Sequence, residues 1–157
     1  MQIMGATRIN HVSIVADSLD ESAAFYAELF GMERLPTAKF PEPVLWLRLG
    51  RQQLHLFESD RDAPTPRQHV SFDVEDFDAV YAKAKTMGIL DSRAFGSPLR
   101  SHPAGWVQLY VRDPAGNLIE IDWPDEKTLS PETRADILPL GDVVAQTGDS
   151  VHATLYT

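Results

Sequence analysis

The sequence contains no cysteine. Disulfide bonds, a cysteine nucleophile and thiolate metal ligands are therefore excluded, and any bound metal would have to be held by nitrogen and oxygen atoms. The sequence also lacks an apolar run of about 18 residues, the length that a membrane-spanning helix requires. Residues 1–7 have neither the basic nor the apolar segment of a secretion signal. From these absences we expect a cytoplasmic protein.

Positive charge is scarce as well. The 14 Lys and Arg residues face 23 Asp and Glu residues, which gives a net charge of −9, and the basic residues form no cluster. The counterion release that drives nucleic-acid binding is therefore missing. Nucleic acids and anionic membranes are poor partners for such a chain, and we expect a small-molecule substrate. The 157 residues, 43% of them hydrophobic, suffice for one domain or for two small halves with a shared core.

The first half of the chain predicts a strand, a helix and three further strands. Strict alternation of polar and apolar residues over residues 8–16 predicts the first strand. Ser18 and Glu21 have the spacing of a capping box, and the amphipathic helix that they begin ends at Gly31. Short strands are predicted over residues 32–38, 44–49 and 53–58.

The same pattern returns after a polar, proline-bearing linker at residues 59–67. An offset of 58 residues superposes His11 on His69, and in the last strand of each half an offset of 65 superposes His55 on Glu120. The chain therefore contains an internal repeat, and four residues with side chains that can bind metals occupy equivalent places in its two copies.

The second copy ends in a predicted β-hairpin over residues 106–122. Asp113, Pro114 and Gly116 have the positions that a type I turn favours between two alternating strands. Because side chains alternate along a strand, Glu120 points away from the apolar side, together with Asp122. The other three candidates also lie on the more polar faces of their strands, while the opposite faces are apolar and suited to packing against helices.

These patterns together predict an α+β fold. Two tandem βαβββ modules, residues 8–58 and 68–123, would form curved mixed sheets with helices outside and a metal-binding cleft between the polar faces. Residues 124–157 form a C-terminal extension in which Ser130 predicts a short helix through Leu138. A lid, a partner-packing arm and a disordered tail are all compatible with the rest of the extension.

A single histidine on a strand is usually a structural residue, but four of the five histidines fall in or beside the repeated strands. Two histidines and one carboxylate with open coordination positions suit Fe(II), and also Mn(II), Zn(II) or Ni(II). His102 lies in the loop before the hairpin, while Tyr110 and Trp106 share a strand face beside Glu120. His152, in the extension, is expected to be a solvated surface residue.

The sequence resembles the vicinal oxygen chelate superfamily, which includes glyoxalase I, fosfomycin-resistance enzymes, bleomycin-resistance proteins, methylmalonyl-CoA epimerase and extradiol dioxygenases. The resemblance implies a metal held by His11, His69 and Glu120, and a homodimer. It covers about residues 8–123 and is carried by residues 9–12, 25–31, 54–56, 69–72 and 113–120.

The motif around the hairpin is most similar to that of compact, two-module extradiol dioxygenases. His102, Tyr110, the Asp113-Pro114 pair and Glu120 follow the order of their signature. Arg100 departs from it, because a small or apolar residue or Asn is expected there. Glyoxalase I usually has a glutamate where this chain has His55, which disfavours lyase chemistry on glutathione adducts.

The resemblance thus predicts an Fe(II) or Mn(II) enzyme that opens a catechol-like ring. His55 would shuttle a proton, and Tyr110 and His102 would hydrogen-bond the reacting oxygens. Two alternatives stay open, a metal-dependent lyase or isomerase of the glyoxalase I type, and a non-enzymatic drug-binding resistance protein. The aromatic residues expected to contact the substrate are Trp46, Phe57 and Trp106.

Overall fold

A computed structural model describes residues 9–37, 40, 42–59 and 67–156. The chain divides into two compact units, residues 1–62 and 63–157, and the boundary falls within the predicted linker. Residues 60–66 of that linker lie outside the described residues, as does Ala38 at the end of a predicted strand. Each unit contains a βαβββ succession around a mixed sheet, which confirms the predicted α+β fold.

The first unit has a four-stranded sheet in the order β1-β4-β3-β2. Strands β1 and β4 are parallel, and the other neighbours are antiparallel. Its elements are β1 (His11–Ala16), α1 (Leu19–Phe30), β2 (Arg34–Leu35), β3 (Val44–Leu49) and β4 (Gln52–Glu58).

The predicted caps of α1 are confirmed. The Ser18 side chain accepts a hydrogen bond from the Glu21 backbone N–H at 3.4 Å, and Gly31 ends the helix with φ 65°. A left-handed residue at this position releases the chain from the helix, and glycine adopts that conformation without strain. The helix contacts β3 and β4, and its Tyr26 side chain is fully buried.

Strand β2 is shorter than the strand predicted over residues 32–38, so that prediction is wrong in extent. Only Arg34 and Leu35 pair with β3. The Thr37 hydroxyl then accepts the hydrogen bond from the Trp46 backbone N–H, at 3.0 Å. The ladder ends because a side chain replaces the backbone carbonyl as the acceptor, a local competition that alternation does not reveal.

The second unit has a five-stranded sheet in the order β5-β8-β7-β6-β9. Strand β8, which lies between β5 and β7, is buried on both faces. The elements are β5 (His69–Asp73), α2 (Phe77–Met87), β6 (Leu99–Ser101), β7 (Val107–Arg112), β8 (Leu118–Trp123), α3 (Pro131–Ala135) and β9 (Leu138–Pro139), with short 3₁₀ turns at residues 126–128, 140–142 and 148–151.

The predicted hairpin consists of β7, β8 and the turn between them. The Gly116 N–H donates to the Asp113 carbonyl at 3.0 Å, and Gly116 has φ 83°. The Asp113 carboxylate accepts from the Asn117 backbone N–H at 2.7 Å. The turn thereby fixes a register in which Tyr110 lies opposite Glu120.

The C-terminal extension adds an edge strand to the second sheet. The helix predicted through Leu138 is wrong in extent, since α3 ends at Ala135 and Leu138 pairs with Arg100 of β6. Asp136 accepts hydrogen bonds from the side chains of Tyr81 and Lys85 at 2.8 and 2.7 Å. These bonds hold the end of α3 on α2, from where the chain turns to the sheet edge. Within the described residues, no helix is long and apolar enough to cross a membrane.

Candidate metal-binding site

A histidine and a carboxylate meet on the polar face of the second sheet. Parallel pairing of β5 with β8 places Ser71 opposite Glu120. His69, two residues before Ser71 on the same face, brings its Nε2 to 3.3 Å from Glu120 Oε2. Glu120 is only 4% exposed, so it is a buried group rather than a solvated strand carboxylate. A buried carboxylate requires compensation by a partner of positive charge or by hydrogen bonds.

The other nitrogen of His69 determines what faces that carboxylate. His69 Nδ1 lies 2.8 Å from the Arg67 carbonyl oxygen, which can only accept, so Nδ1 carries a proton. In the neutral ring, Nε2 then presents a lone pair toward Glu120. Two electron-rich atoms at this distance call for a proton or a metal cation between them. A backbone carbonyl on the far nitrogen is also the usual orienting contact of a metal-binding histidine, so the donor set fits a divalent metal.

Tyr110 supplies a neutral hydroxyl beside Glu120. Burial raises the pKa of Tyr110 above its usual range, and the Glu120 carboxylate raises it further. The Tyr110 hydroxyl donates to Gln108 Oε1 at 3.0 Å, and His102 Nε2 lies 2.7 Å from the same oxygen. Gln108 thus links Tyr110 to His102, and the roles predicted for these two residues toward a substrate stay a prediction.

Trp106 is held by two partners within the second unit. Its ring stacks on His102 with centroids 3.6 Å apart, and its indole N–H donates to the Ala153 carbonyl at 2.9 Å. Burial lowers the pKa of His102, so this stack contains a neutral imidazole. One face of the Trp106 ring therefore packs on His102, and the predicted contact of Trp106 with the substrate stays a prediction.

A second group of polar residues adjoins Glu120, and sequence reasoning gave it no role. The Ser71 hydroxyl donates to Asp122 Oδ2, and the Tyr156 hydroxyl donates to Asp73 at 3.0 Å. Burial raises the pKa of Asp122 to about 7, and the neighbouring Glu120 contributes in the same direction. The alternation of β5 and β8 indicated the polar face, but no pattern near residue 156 could have indicated its contact with a strand 83 residues away.

The first unit holds an aromatic and imidazole stack instead. His55 in β4 lies opposite Ser13 of β1 and opposite Trp46 of β3. Its ring is stacked between His11 and Trp46, with centroid distances of 4.2 and 4.7 Å. Burial, followed by the neighbouring His11, lowers the pKa of His55, so the ring is neutral at pH 7. Its Nε2 lies 2.8 Å from Gln53 Oε1.

The predicted substrate contacts Trp46 and Phe57 belong to one aromatic group. Phe40 joins them, with ring centroids 6.1 Å from Trp46 and 6.3 Å from Phe57. The Trp46 indole N–H is buried and has no hydrogen-bond partner among the described residues. This group places Phe40, which the sequence could not place, beside Trp46 and Phe57.

The described residues bring the predicted ligands together in pairs. His69 meets Glu120, and His11 meets His55, whereas no three His, Asp or Glu side chains in the described ranges are arranged to hold a metal ion. The assignment of a metal to His11, His69 and Glu120 together remains a prediction. His152 is exposed, as predicted.

Residues 8–121 match the family model described as the Glyoxalase/Bleomycin resistance protein/Dioxygenase superfamily. The chain belongs to this superfamily. The resemblance carried by the histidine strands and the hairpin is therefore confirmed.

Relatives of this superfamily with lyase and epimerase names are similar to the chain. Glyoxylase I 4 of Arabidopsis thaliana is 31% identical, over 73% of this chain and 70% of that protein. The mitochondrial methylmalonyl-CoA epimerase of Homo sapiens is 24% identical, over 73% of each. A lactoylglutathione lyase structure from Agrobacterium tumefaciens is 27% identical with a TM-score of 0.58, covering 78% of this chain and 96% of that one.

A more distant superfamily structure contains a metal. FosX of Listeria monocytogenes, a fosfomycin resistance protein solved as an E126Q mutant with Mn(II) and a dihydroxypropylphosphonic acid, has a TM-score of 0.62. It is 17% identical and covers 85% of this chain and 98% of its own. At this identity the likeness shows the fold alone.

Proposed function

We propose that the protein is a metal-dependent lyase or isomerase that moves a proton on the carbon next to a carbonyl group of a small substrate. The observation that carries the proposal is the His69–Glu120 pair, in which His69 Nε2 lies 3.3 Å from an oxygen of a buried carboxylate while His69 Nδ1 is held by the Arg67 carbonyl. The lyase and epimerase names of the relatives support this branch. They do not support the oxidoreductase expected from the sequence.

His69 and Glu120 would hold the metal, with His11 as the predicted third ligand. The nitrogen and oxygen donors are acceptable to Mn(II), Fe(II), Zn(II) and Ni(II) alike. When bound, a divalent metal would polarise a substrate oxygen and so acidify the neighbouring C–H group.

The protein's own residues supply the proton chemistry. Tyr110 stays protonated at neutral pH. Its one O–H proton, which is donated to Gln108 Oε1 in this structure, would be donated to a substrate oxygen on binding. His55 remains the candidate proton acceptor, because its lowered pKa keeps an imidazole lone pair available at pH 7. A base must be deprotonated before it can act, and burial secures this state for His55.

The first experiment tests whether the protein binds a metal at His69 and Glu120. Stoichiometry is measured by elemental analysis on the purified protein and on His69→Ala and Glu120→Gln variants, with His152→Ala as a matched control because that histidine is exposed. We expect about one metal per chain in the wild type and in the control, and a strong loss in the other two. Equal metal in all four proteins would refute the site.

The reaction is tested with two probes taken from the relatives' names. The hemithioacetal of methylglyoxal and glutathione, and methylmalonyl-CoA, are incubated in D2O with metal-loaded protein. Incorporation of deuterium at the carbon next to the carbonyl, lost in Glu120→Gln, is expected with at least one of them. A metal-loaded protein that catalyses no exchange with either probe contradicts the proposal.

Ring cleavage by an extradiol dioxygenase is the second candidate, and one observation favours it. Tyr110 and His102 both contact Gln108 Oε1 beside Glu120, in the order that the dioxygenase motif requires. Oxygen uptake and a coloured ring-fission product with iron-reconstituted protein and a panel of catechols would replace the lyase proposal. Absence of both removes this candidate.

A further inference from the structure

Arg100 is the residue at which the chain departs from the dioxygenase motif, and it lies on the face of the candidate metal site. In β6 it pairs with Gln108 of β7, and Gln108 in turn pairs with Asp122 of β8. Directly opposed residues of antiparallel strands project to the same side of a sheet. Arg100 therefore belongs to the row next to the one that contains Tyr110 and Glu120.

Phe95 is a common neighbour of Arg100 and of the candidate metal site. Arg100 Nη2 donates to the carbonyl of Phe95. The Phe95 ring lies 4.7 Å from the ring of Tyr110 and 6.0 Å from that of His69, measured between centroids. The positive charge also acts on the site, because it opposes the effects of burial and Glu120 on the pKa of Tyr110.

Most of the donor capacity of Arg100 is unused. The side chain is partly buried, and among the described residues its Nε is enclosed without a hydrogen-bond partner. No carboxylate in the described part of the chain forms a salt bridge with it. A guanidinium group has five N–H donors, and leaving a partly buried cation without a counter-ion is unfavourable.

Arg112 lies on the same face of the sheet, and its guanidinium group has protein partners. It lies two residues from Tyr110 along β7, its Nε is 3.1 Å from Asp91 Oδ1, and its Nη1 donates to the Gly116 carbonyl at 3.0 Å. Asp91 neutralises Arg112, whereas no carboxylate of the described residues pairs with Arg100. The missing partner is an anion.

We propose that Arg100 binds a carboxylate group of the substrate, and that the protein acts on an anionic, carboxylate-bearing substrate. The planar fork of an arginine matches a carboxylate in two parallel hydrogen bonds. The inference rests on the proposed function, because it names the substrate class of the same site. It also explains why a position expected to be small or apolar carries a positive charge.

The test measures binding, so that it does not depend on turnover. Mn(II)-loaded wild type, Arg100→Gln and Arg100→Lys are titrated calorimetrically with methylmalonate, with its uncharged diamide and with phosphonoacetate. Arg93→Gln is the matched control, since it removes one exposed arginine from the preceding loop of the same unit. Equal manganese content and equal thermal unfolding temperatures establish that the variants are comparable.

We expect Arg100→Gln to bind methylmalonate about 10- to 100-fold more weakly than the wild type, the range for a lost charged hydrogen bond. Arg100→Lys should be intermediate, Arg93→Gln unchanged, and the diamide equally weak in all four. Unchanged methylmalonate binding by Arg100→Gln overturns the inference, and so does an equal loss for the diamide.

Two further outcomes distinguish a carboxylate from a phosphonate ligand, and the anion site from the proposed function. A larger effect of Arg100→Gln on phosphonoacetate than on methylmalonate overturns the carboxylate assignment in favour of a phosphonate. Charge-dependent binding through Arg100 in a protein that exchanges no proton with the reaction probes refutes the proposed function and leaves the anion site intact.

Discussion

The two units share one pattern of strand pairing and carry different side chains at one equivalent position of their last βαβββ strand. In the first unit, β1 and β4 place Ser13 opposite His55, and β3 places Trp46 opposite the same residue. In the second unit, the corresponding strands place Ser71 and Tyr110 opposite Glu120. The backbone pairing is the same, so the difference in chemistry comes from which side chain occupies the position.

That difference separates a neutral region from a charged one. His55 is stacked between two rings and has a lowered pKa, whereas Glu120 is buried against His69, Tyr110 and a second carboxylate. The repeat thus preserves the fold in both units, while only the second unit has carboxylates at the position where a metal would need them. The second unit is therefore the part of the chain on which the metal proposal depends most.

Exchanging the two residues at this register should have the largest effect. Glu120→His would give the second unit the residue of the first, and we expect metal affinity to fall by more than the roughly 10- to 100-fold that losing an outer-shell partner costs. His55→Glu, the reciprocal change, should retain the metal. Both affinities are measured by competition with a chelator. A larger loss in His55→Glu would reverse the comparison.

Removing the hydroxyl opposite Glu120 should have the next largest effect. Tyr110→Phe is expected to lower kcat by about 10- to 100-fold with metal content unchanged, because a hydrogen bond to a charged or developing oxygen is lost. The matched change in the first unit is Trp46→Phe. It removes no hydroxyl group beside Glu120 and should therefore alter kcat less. Steady-state kinetics on the active probe decide between them, and equal losses would contradict the asymmetry.

The buried carboxylate of Asp122 should make stability depend on pH. Its pKa is about 7 in the folded protein against 3.8 as the ordinary value, so the folded state retains a proton that the unfolded state releases between these values. The free energy of unfolding of metal-free protein should therefore decrease as pH rises from about 4 to 7. Phe57 occupies the equivalent place in the first unit and does not titrate.

Replacing this carboxyl group isolates its contribution. Asp122→Asn should flatten the pH dependence and stabilise the protein near pH 8 by on the order of 1–3 kcal/mol, measured by urea denaturation at several pH values. Asp142→Asn, which changes an exposed carboxylate, should leave the slope as it is. An undiminished slope in Asp122→Asn would mean that another group holds the proton.

The smallest effect is expected at the helix caps. Ser130→Ala removes the side-chain cap of α3 and the hydrogen bond from the Ser130 hydroxyl to Asp78, and it should lower the free energy of unfolding by about 1–2 kcal/mol. Ser18→Ala, in the first unit, removes one longer cap bond of 3.4 Å and should lower it by less. Denaturant unfolding of both variants compares them, and a greater loss at Ser18 would contradict this order.

Local sequence patterns predicted most of the secondary structure. The caps at Ser18 and Gly31, the turn at Asp113 and the alternation of β1, β4, β5 and β8 are properties of short segments, and the structure confirms each of them. The errors arose where a side chain or a strand outside the predicted segment takes up a backbone hydrogen bond. Thr37 ends β2 by bonding Trp46, and the β6 edge converts Leu138 from helix to strand.

The candidate site was predictable in membership but not in contact. Strand faces placed His69 and Glu120 on one side of the sheet, and parallel pairing of β5 with β8 makes them neighbours. Contacts such as that of Trp106 with Ala153, or of Tyr156 with Asp73, join segments far apart in the chain, and no periodicity encodes them. The unused charge of Arg100 likewise emerges only from the strand register.

The most direct measurement is a crystal structure of the protein grown with Mn(II), with anomalous diffraction recorded to locate the metal. We expect an anomalous peak within about 2.0–2.3 Å of both His69 Nε2 and a Glu120 carboxylate oxygen, with the Arg67 carbonyl still bonded to His69 Nδ1. A peak elsewhere, or none with His69 bonded directly to Glu120, would contradict it.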